Sequence, residues 1–344
     1  MGEYRLDEHL LAALRSSLHE EYDLAVSGLR PLPGGHIHDV WVAESGRGLL
    51  VLKRYRGYPG ADPSRLFKSL ELQRATHEAG LPVPDVVANR RGALATETRH
   101  GWVTVQEFSD GAHRDPGRFT LALAASVGHT LGRLHRALAD LAPPAGGFVA
   151  PDASAVRREC ETWLERLQSV PDPDEWDRMA AEEAEFRLRL LPARAVGPHE
   201  DAADAAQWTH GDFYPGNLLF DACDRVVAVL DWDFAAFRRP GGEVARAAFE
   251  LARSGTGALD RERFDAFFSA YLREVPLSPA QRRLMFRQLL FHQLAVLYPL
   301  AFRRLPGAQL PQGWQALARR RYEVVREIER HLDTLTQWAA AARP

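Results

Sequence analysis

The sequence predicts an α+β protein in which a small antiparallel sheet with one helix precedes a larger, mainly helical part. Short β-rich runs are concentrated before about residue 110, and helical periodicity dominates after it. A chain of 344 residues is also longer than one hydrophobic core usually holds, which favours two lobes. We therefore predict an N-terminal lobe spanning residues 1–108 and a C-terminal lobe spanning residues 109–344.

The N-terminal lobe is predicted to begin with a helix over residues 6–19, because leucines recur there at helical spacing. Apolar runs separated by Gly and Pro turns predict the strands of an antiparallel sheet. These runs cover residues 37–44, 48–55 and 101–108. A helix is predicted over residues 64–79, and Gly80, Pro82 and Pro84 end it because proline cannot continue a helix.

The C-terminal lobe is predicted to be helical with one β interruption. Apolar residues recur at helical spacing from Ala124 to Leu138, and residues 152–204 combine 14 Asp and Glu with 7 Arg in helix-compatible stretches. Two apolar runs flank a polar turn in residues 217–234, which predicts a β-hairpin. Further helical patterns cover residues 261–273, 279–303 and 314–338.

Composition limits the function classes. Lys plus Arg (43) nearly balance Asp plus Glu (46), so no overall positive field is available to attract nucleic acid or an anionic membrane. No stretch of 18 apolar residues occurs, and Cys160 and Cys223 are too few for a disulfide framework. We therefore expect a cytoplasmic protein with small-molecule partners, no nucleic acid and no membrane.

The segments THGDFYPGNLLF (209–220) and VAVLDWDF (227–234) hold the residues best suited to chemistry. A hydroxyl that attacks a nucleotide γ-phosphate needs a carboxylate to orient it and accept its proton, and magnesium needs oxygen ligands. Asp212 suits the first task, and Asn217 and Asp231 suit the second. The predicted hairpin would bring these three side chains to one place.

HGDFYPGN followed by LDWD resembles the catalytic and metal-binding motifs of the aminoglycoside phosphotransferase and choline kinase-like family, whose members are relatives of protein kinases. Other segments resemble the family in the same order along residues 25–255. They are RPLPGGHIHDVWVAE (30–44), VLKRY with Lys53, the helix with Glu71, VQEF (105–108) and TLGRLH (130–135). The resemblance implies a bilobal protein-kinase-like fold, with the nucleotide between the lobes.

The resemblance also implies roles for individual residues in the catalytic segments. Asp212 would be the catalytic carboxylate, and Asn217 and Asp231 would bind Mg²⁺. His210 would tie the catalytic loop to the metal strand without proton chemistry. Asp233 would be close enough to hold a water ligand of the metal or an amine of the substrate.

In the N-terminal lobe the resemblance implies an ATP site. Gly34 and Gly35 would let the backbone approach the phosphates, because they lack a Cβ atom. Lys53 would contact the α- and β-phosphates and pair with a helix carboxylate, with Glu71 preferred over Glu78. The backbone of three residues would hydrogen-bond adenine: Gln106, Glu107 and Phe108. The other interpretation is that Lys53 is an exposed edge lysine and Glu71 an exposed helical glutamate.

The sequence departs from the family pattern at three points. LPGGHIHDVW is not a GxGxxG loop, and His38 stands where Asn or Ser is frequent in the family. RRPGGEVARAA (238–248) replaces the family's GDP-x-x-DLA run, with Glu243 near the position of its Asp. No APE-like segment follows the metal strand, so a protein substrate is less favoured.

The predicted function is transfer of the γ-phosphoryl group of Mg²⁺-ATP to a hydroxyl of an amino sugar, an amino alcohol or a related metabolite or antibiotic. The acidic segment 152–204 would favour a cationic acceptor if it lined the site, with Glu159, Glu161, Asp172, Asp174 and Glu175 as candidates. The other interpretation is a solvated helix face. A catalytically silent module that only binds nucleotide or metabolite is the alternative function.

Overall fold

The computed structural model describes residues 8–32, 38–56, 63–197, 200, 205–253, 257–296, 298, 304, 310 and 313–344. The chain divides into two compact units. The first comprises Met1–His113, Asn217–Asp221 and Val226–Ala235. The second comprises Arg114–Gly216, Ala222–Arg225 and Ala236–Pro344.

In the described residues, strands are concentrated in the first part of the chain and helices make up most of the rest. In chain order they are α1 (Glu8–Tyr22), β1 (Val26–Pro31), β2 (Asp39–Ser45), β3 (Gly48–Tyr55), α2 (Pro63–Glu78), β4 (Val86–Val87), β5 (Thr96–Thr98), β6 (Gly101–Glu107), α3 (Leu121–Ala139), α4 (Ala153–Gln168), α5 (Glu175–Arg194), β7 (Gln207–Thr209), β8 (Leu218–Phe220), β9 (Val226–Val229), β10 (Ala236–Arg238), α6 (Gly241–Ala252), α7 (Arg261–Glu274), α8 (Pro279–Leu294) and α9 (Trp314–Ala341). This order confirms the predicted α+β class, with an antiparallel sheet first and a mainly helical part after it.

The first unit is built on an antiparallel sheet in the order β1-β2-β3-β6-β4, with β5 also pairing with β6. The leucine face of α1 packs on this sheet, and its Leu14 and Leu18 lie in one core with Leu52 and Val105. The predicted first helix is thereby confirmed, at Glu8–Tyr22. Helix α2 packs elsewhere on the unit, where Leu70 and its neighbours form a second cluster.

The predicted hairpin forms and belongs to the first unit. Strands β8 and β9 pair antiparallel, and the N–H of Val229 donates to the carbonyl of Pro82 (2.8 Å). Gly111 lies against the hairpin so closely that a Cβ atom there would stand 2.6 Å from Val227 Cγ2. These backbone contacts fix the hairpin on the sheet unit.

The second unit is a helical assembly in which α3 and α7 cross closely. A Cβ atom on Gly128 would stand 2.2 Å from the carbonyl oxygen of Phe267, and one on Gly132 would stand 2.4 Å from Glu274 Cβ. Only glycine permits this approach at both positions. None of the helices in the described part of the chain is long and apolar enough to cross a membrane.

Two features of the second unit differ from the sequence predictions. Helix α8 ends at Leu294 and not at residue 303, and the guanidinium of Arg187 donates to the carbonyls of Gln293 (3.0 Å) and Leu294 (2.7 Å). These bonds satisfy carbonyl groups that a helix end leaves without partners. Strands β7 and β10 pair antiparallel and were not predicted, because three residues are too few to show a β period.

Candidate active site

The hairpin brings Asn217 and Asp231 side by side. The N–H of Leu230 donates to the carbonyl of Asn217 (2.9 Å), which continues the pairing of Leu218 with Val229 by one residue. Asp231 therefore lies one residue beyond the position opposite Asn217. Its backbone has φ 63° and ψ 71°, the left-handed region, which costs a residue with a Cβ atom roughly 1–2 kcal/mol. Such strain at a carboxylate directs attention to this turn as a functional site.

Lys53 of β3 points to the same turn. Its Nζ lies 2.9 Å from Asp231 Oδ1 and 2.6 Å from Asp233 Oδ2, and only 13% of its side chain is exposed. Burial alone lowers the pKa of Lys53, but Tyr55, Asp233 and Asp231 raise it more, so the net pKa is well above the ordinary value. The ammonium group therefore stays charged.

Asp233 holds Lys53 in place. Besides Lys53, its carboxylate contacts the hydroxyl of Tyr55 (3.2 Å) and Nε2 of His38 (3.2 Å). Burial raises the pKa of Asp233, but Lys53 and His38 lower it more, and the net pKa is below the ordinary value. The charge-assisted contacts thus keep this carboxylate ionised.

The structure does not bring Glu71 or Glu78 to Lys53. Glu71 pairs with Lys68 (2.6 Å) and is 56% exposed, and Glu78 pairs with Arg74 (3.5 Å) and is 66% exposed. Both glutamates lie on the solvent face of α2, because its other face is buried through Leu70, Leu72 and their neighbours. The carboxylate that meets Lys53 comes from the turn after β9 instead.

The three residues predicted to bind adenine lie at the end of β6. Gln106 is the last but one residue of the strand, and its side-chain oxygen accepts from Nε2 of Gln73 (3.3 Å). The N–H of Glu107 donates to the carbonyl of Asp85 (3.0 Å), and Phe108 is exposed. The predicted phosphate-loop residues Gly34 and Gly35 lie outside the described residues.

In the second unit, Asp212 follows β7 in a loop with internal hydrogen bonds. Its own N–H donates to Nδ1 of His210 (3.2 Å), and His210 is completely buried. The carboxylate of Asp212 forms an ion pair with Arg246 of α6 (2.5 Å). The guanidinium of Arg246 also lies over the ring of Tyr214, 4.7 Å from its centroid. Sequence analysis missed Arg246, although it stands one helical turn after Glu243 on α6.

Glu243 connects the catalytic loop to the helical core. Its Oε1 accepts from the N–H of Gly211 (2.5 Å), and its Oε2 lies 2.9 Å from Nε2 of His135. Nδ1 of His135 lies 2.9 Å from the hydroxyl of Tyr271. Burial raises the pKa of Glu243, but His135, His210 and Arg238 lower it more, to about 2. A buried carboxylate with these partners fixes the backbone next to Asp212.

The acidic segment does not gather its carboxylates into a site. Asp174 caps α5 in a capping box, and Glu175 lies 3.7 Å from Arg319. The five candidate carboxylates are all exposed: Glu159, Glu161, Asp172, Asp174 and Glu175. Trp163, on the same segment, is buried. The structure therefore favours the interpretation of this segment as a solvated helix face.

The comparison with protein families decides the identity. The sequence model of the phosphotransferase enzyme family matches residues 28–286. The chain belongs to this phosphotransferase family. The resemblance stated from the motifs is confirmed, and so is the assignment as an enzyme that transfers a phosphoryl group to an alcohol group of a small molecule.

Individual relatives agree with the family. A homoserine kinase from Rhodopseudomonas palustris is 25% identical over 243 residues, which are 70% of this chain and 69% of that protein. The structure of a spectinomycin phosphotransferase in complex with ADP and spectinomycin has a TM-score of 0.64 at 13% identity and covers 95% of this chain and 97% of its own. An amicoumacin kinase in complex with AMP-PNP, Ca²⁺ and Ami has a TM-score of 0.62 at 15% identity, covering 93% of both chains. The fold is thus protein-kinase-like.

The donor set at the hairpin fits a divalent cation. Asn217 offers an amide oxygen, and the carboxylate of Asp231 is 43% exposed although Lys53 occupies its Oδ1. Oxygen donors of this kind suit Mg²⁺, which usually takes one or two carboxylates and completes its shell with water and phosphate oxygens. Within the described ranges, no group of three or more His, Cys, Asp or Glu side chains is placed to hold a metal. The remaining ligands would therefore come from the nucleotide and water.

Proposed function

We propose that this enzyme transfers the γ-phosphoryl group of Mg²⁺-ATP to a hydroxyl of a small amino alcohol, amino sugar or related metabolite. The observation that carries the proposal is the turn after β9, where Asn217 and Asp231 lie side by side and Lys53 is held by Asp231 and Asp233. This set combines a metal-binding pair with a fixed cation, the two requirements of phosphoryl transfer. We propose that the enzyme acts in the reducing cytoplasm, where two cysteines, Cys160 and Cys223, do not make a disulfide framework.

In this proposal the first unit binds the nucleotide. Lys53 donates to the α- and β-phosphates, and Asp233 positions its ammonium group. Asn217 and Asp231 would hold Mg²⁺, which would neutralise charge on the phosphates. At the end of β6, the N–H of Glu107 already donates to Asp85, so adenine would contact the carbonyl of Glu107 or the backbone of Gln106 and Phe108. Gly34 and Gly35 stay predictions for the phosphate loop.

Asp212 of the second unit is the proposed catalytic carboxylate. It orients the acceptor hydroxyl and takes its proton as the oxygen–phosphorus bond forms and the bond to the β-phosphate oxygen breaks, releasing ADP. Arg246 fixes the orientation of this carboxylate through their ion pair. Glu243 fixes the backbone of Gly211, next to it.

The test is ADP release in a screen of hydroxylated acceptors with Mg²⁺ and ATP, followed by mass spectrometry of the product. Asp212→Asn should lower turnover by about 10²- to 10⁴-fold, the usual contribution of a positioned base, without changing nucleotide affinity. Asp231→Ala should remove the Mg²⁺ dependence of nucleotide binding. If the wild-type protein binds ATP but no acceptor raises ADP release above the level of Asp212→Asn, the silent binding module is the better description.

A further inference from the structure

Three arginines and one histidine of the second unit interact with one another, and we call them the arginine cluster. Arg238 ends β10, Arg246 lies on α6, His292 on α8 and Arg321 on α9. Arg246 contacts Asp212 directly. Arg238 and Arg321 interact electrostatically with both Arg246 and Asp212, and His292 interacts with all three arginines. Separate elements of the fold thus converge on the proposed catalytic carboxylate.

The carboxylates that the structure describes around this cluster already have partners. Asp212 is paired with Arg246, and Glu243 is occupied by His135 and Gly211. Glu250 lies nearby on α6, but it pairs with Arg253 (3.2 Å) and Arg320 (3.5 Å). On the side of α5, Arg187 pairs with Glu183.

Arg321 contacts a carbonyl group and an aromatic ring. It donates to the carbonyl of Tyr298 (3.4 Å), and its guanidinium lies 5.8 Å from the ring centroid of the same residue. Across the described residues no carboxylate lies within 4 Å of Arg321. A shielded guanidinium in this position would gain from an anionic ligand.

The electrostatics of the cluster point the same way. Burial and then repulsion from Arg246 lower the pKa of Arg321, and burial lowers that of Arg238 although Glu243 and Asp212 oppose the change. For His292, burial and then the charges of the three arginines lower the pKa to about 4. Like charges held close together are destabilising until an anion binds among them.

We propose that the arginine cluster binds a carboxylate of the acceptor, so that the substrate is a small hydroxy acid or hydroxy amino acid. The inference rests on the proposed function, since it assigns Asp212 to the acceptor hydroxyl. Because Arg246 contacts Asp212, a substrate whose hydroxyl lies at Asp212 can place its carboxylate on the cluster when only a few carbon atoms separate the two groups. The planar guanidinium fork matches a carboxylate with two parallel hydrogen bonds, which ammonium groups cannot offer.

The test compares acceptors that differ only in the carboxylate. The pairs are L-homoserine with 3-aminopropan-1-ol, L-serine with 2-aminoethanol, and 4-hydroxybutyrate with propan-1-ol. For the wild-type protein we expect kcat/KM to favour a carboxylate-bearing member by roughly 10- to 100-fold, the effect of hydrogen bonds to a charged group. Calorimetric binding of the same compounds without nucleotide should show the same preference, and this readout does not require turnover.

Variants assign the preference to the cluster. Arg321→Gln should raise KM for the carboxylate-bearing acceptor by roughly 10-fold or more and reduce the preference, whereas Arg321→Lys should retain part of it. Arg319→Gln is the matched control, because Arg319 lies on the same helix, is 51% exposed and pairs with Glu175. Arg319→Gln should change neither the KM for the carboxylate-bearing acceptor nor the preference for it. Circular dichroism and melting curves establish that each variant is folded.

Two results overturn the inference. One is that no carboxylate-bearing compound binds more tightly or reacts faster than the matched compound without the carboxylate. If amino alcohols alone are then phosphorylated, the phosphotransferase proposal still holds. The other is that Arg321→Gln raises KM for ATP with every acceptor, which would assign the cluster to a nucleotide phosphate. Absence of ADP release together with carboxylate binding lost in Arg321→Gln would contradict the proposed function and support the anion site.

Discussion

Replacing Glu243 by glutamine tests whether the second unit depends on a buried charge next to the catalytic loop. The substitution retains an oxygen that accepts from the N–H of Gly211, but it removes the negative charge beside His135. The carboxylate is 4% exposed, and its hydrogen-bond partners lie on α3 and in the loop after β7, so solvent has little access to the place where the charge is lost. We expect loss of stability and misplacement of Asp212.

The magnitude follows from the pKa of Glu243. A carboxyl group whose pKa falls from 4.5 unfolded to about 2 folded stabilises the protein by about 3 kcal/mol when ionised, at 1.36 kcal/mol for each pKa unit. Because the folded pKa is the lower one, this stabilisation is complete above pH 4.5 and disappears as the pH falls towards 2. Glu243→Gln should therefore lower the free energy of unfolding by about 3 kcal/mol at pH 7, and by about 1.4 kcal/mol less at pH 3.5.

The assay is urea denaturation of both proteins at pH 7 and at pH 3.5, with kcat measured at pH 7. A loss of about 3 kcal/mol corresponds to a Tm lower by roughly 6–12 °C in a unit of this size. Glu71→Gln is the control, since an exposed ion pair contributes about 0–1 kcal/mol. A stability difference that stays constant between the two pH values, or that Glu71→Gln reproduces, would refute the role of the Glu243 charge.

Two further predictions concern the first unit and the helix crossing. Asp233→Asn should raise the KM for ATP by roughly 10- to 100-fold, because Lys53 loses a charged hydrogen-bond partner. Glu71→Gln should leave this KM unchanged. If steady-state kinetics show the reverse pattern, Glu71 is the partner of Lys53. Gly128→Ala should destabilise the protein by about 1–3 kcal/mol in urea denaturation, since its Cβ would clash with the carbonyl of Phe267. A stability gain, as helix propensity alone predicts, would contradict the close crossing.

The hairpin was predictable because its signal is local. Two apolar runs around a polar turn fix the antiparallel register, and that register puts Asn217 beside Asp231 with no information from the rest of the chain. The same holds for strands β2, β3 and β6 and for the glycine that ends α2, whereas β1, β4 and β5 were not predicted. Helix ends were less predictable: α8 stops at Leu294 because Arg187, from another helix, completes its carbonyl groups.

The partners of charged side chains were also less predictable when they lie far apart in the chain. Glu71 was the preferred partner of Lys53 by order along the chain, but α2 turns it to solvent, and Asp233 reaches Lys53 from 180 residues further on. Arg246 carried no signal of its own, since an arginine on an amphipathic helix is ordinary. Its importance follows from its contact with Asp212.

The amino-acid sequence by itself determined the fold class and the family and singled out the proposed catalytic segments, because these depend on spacing within short stretches of chain. Only the tertiary structure decided which carboxylate holds Lys53, which glutamate fixes the catalytic loop and which arginines surround Asp212. Those pairings join residues from elements far apart in the chain, and their geometry depends on how helices and strands pack, which local periodicity does not encode.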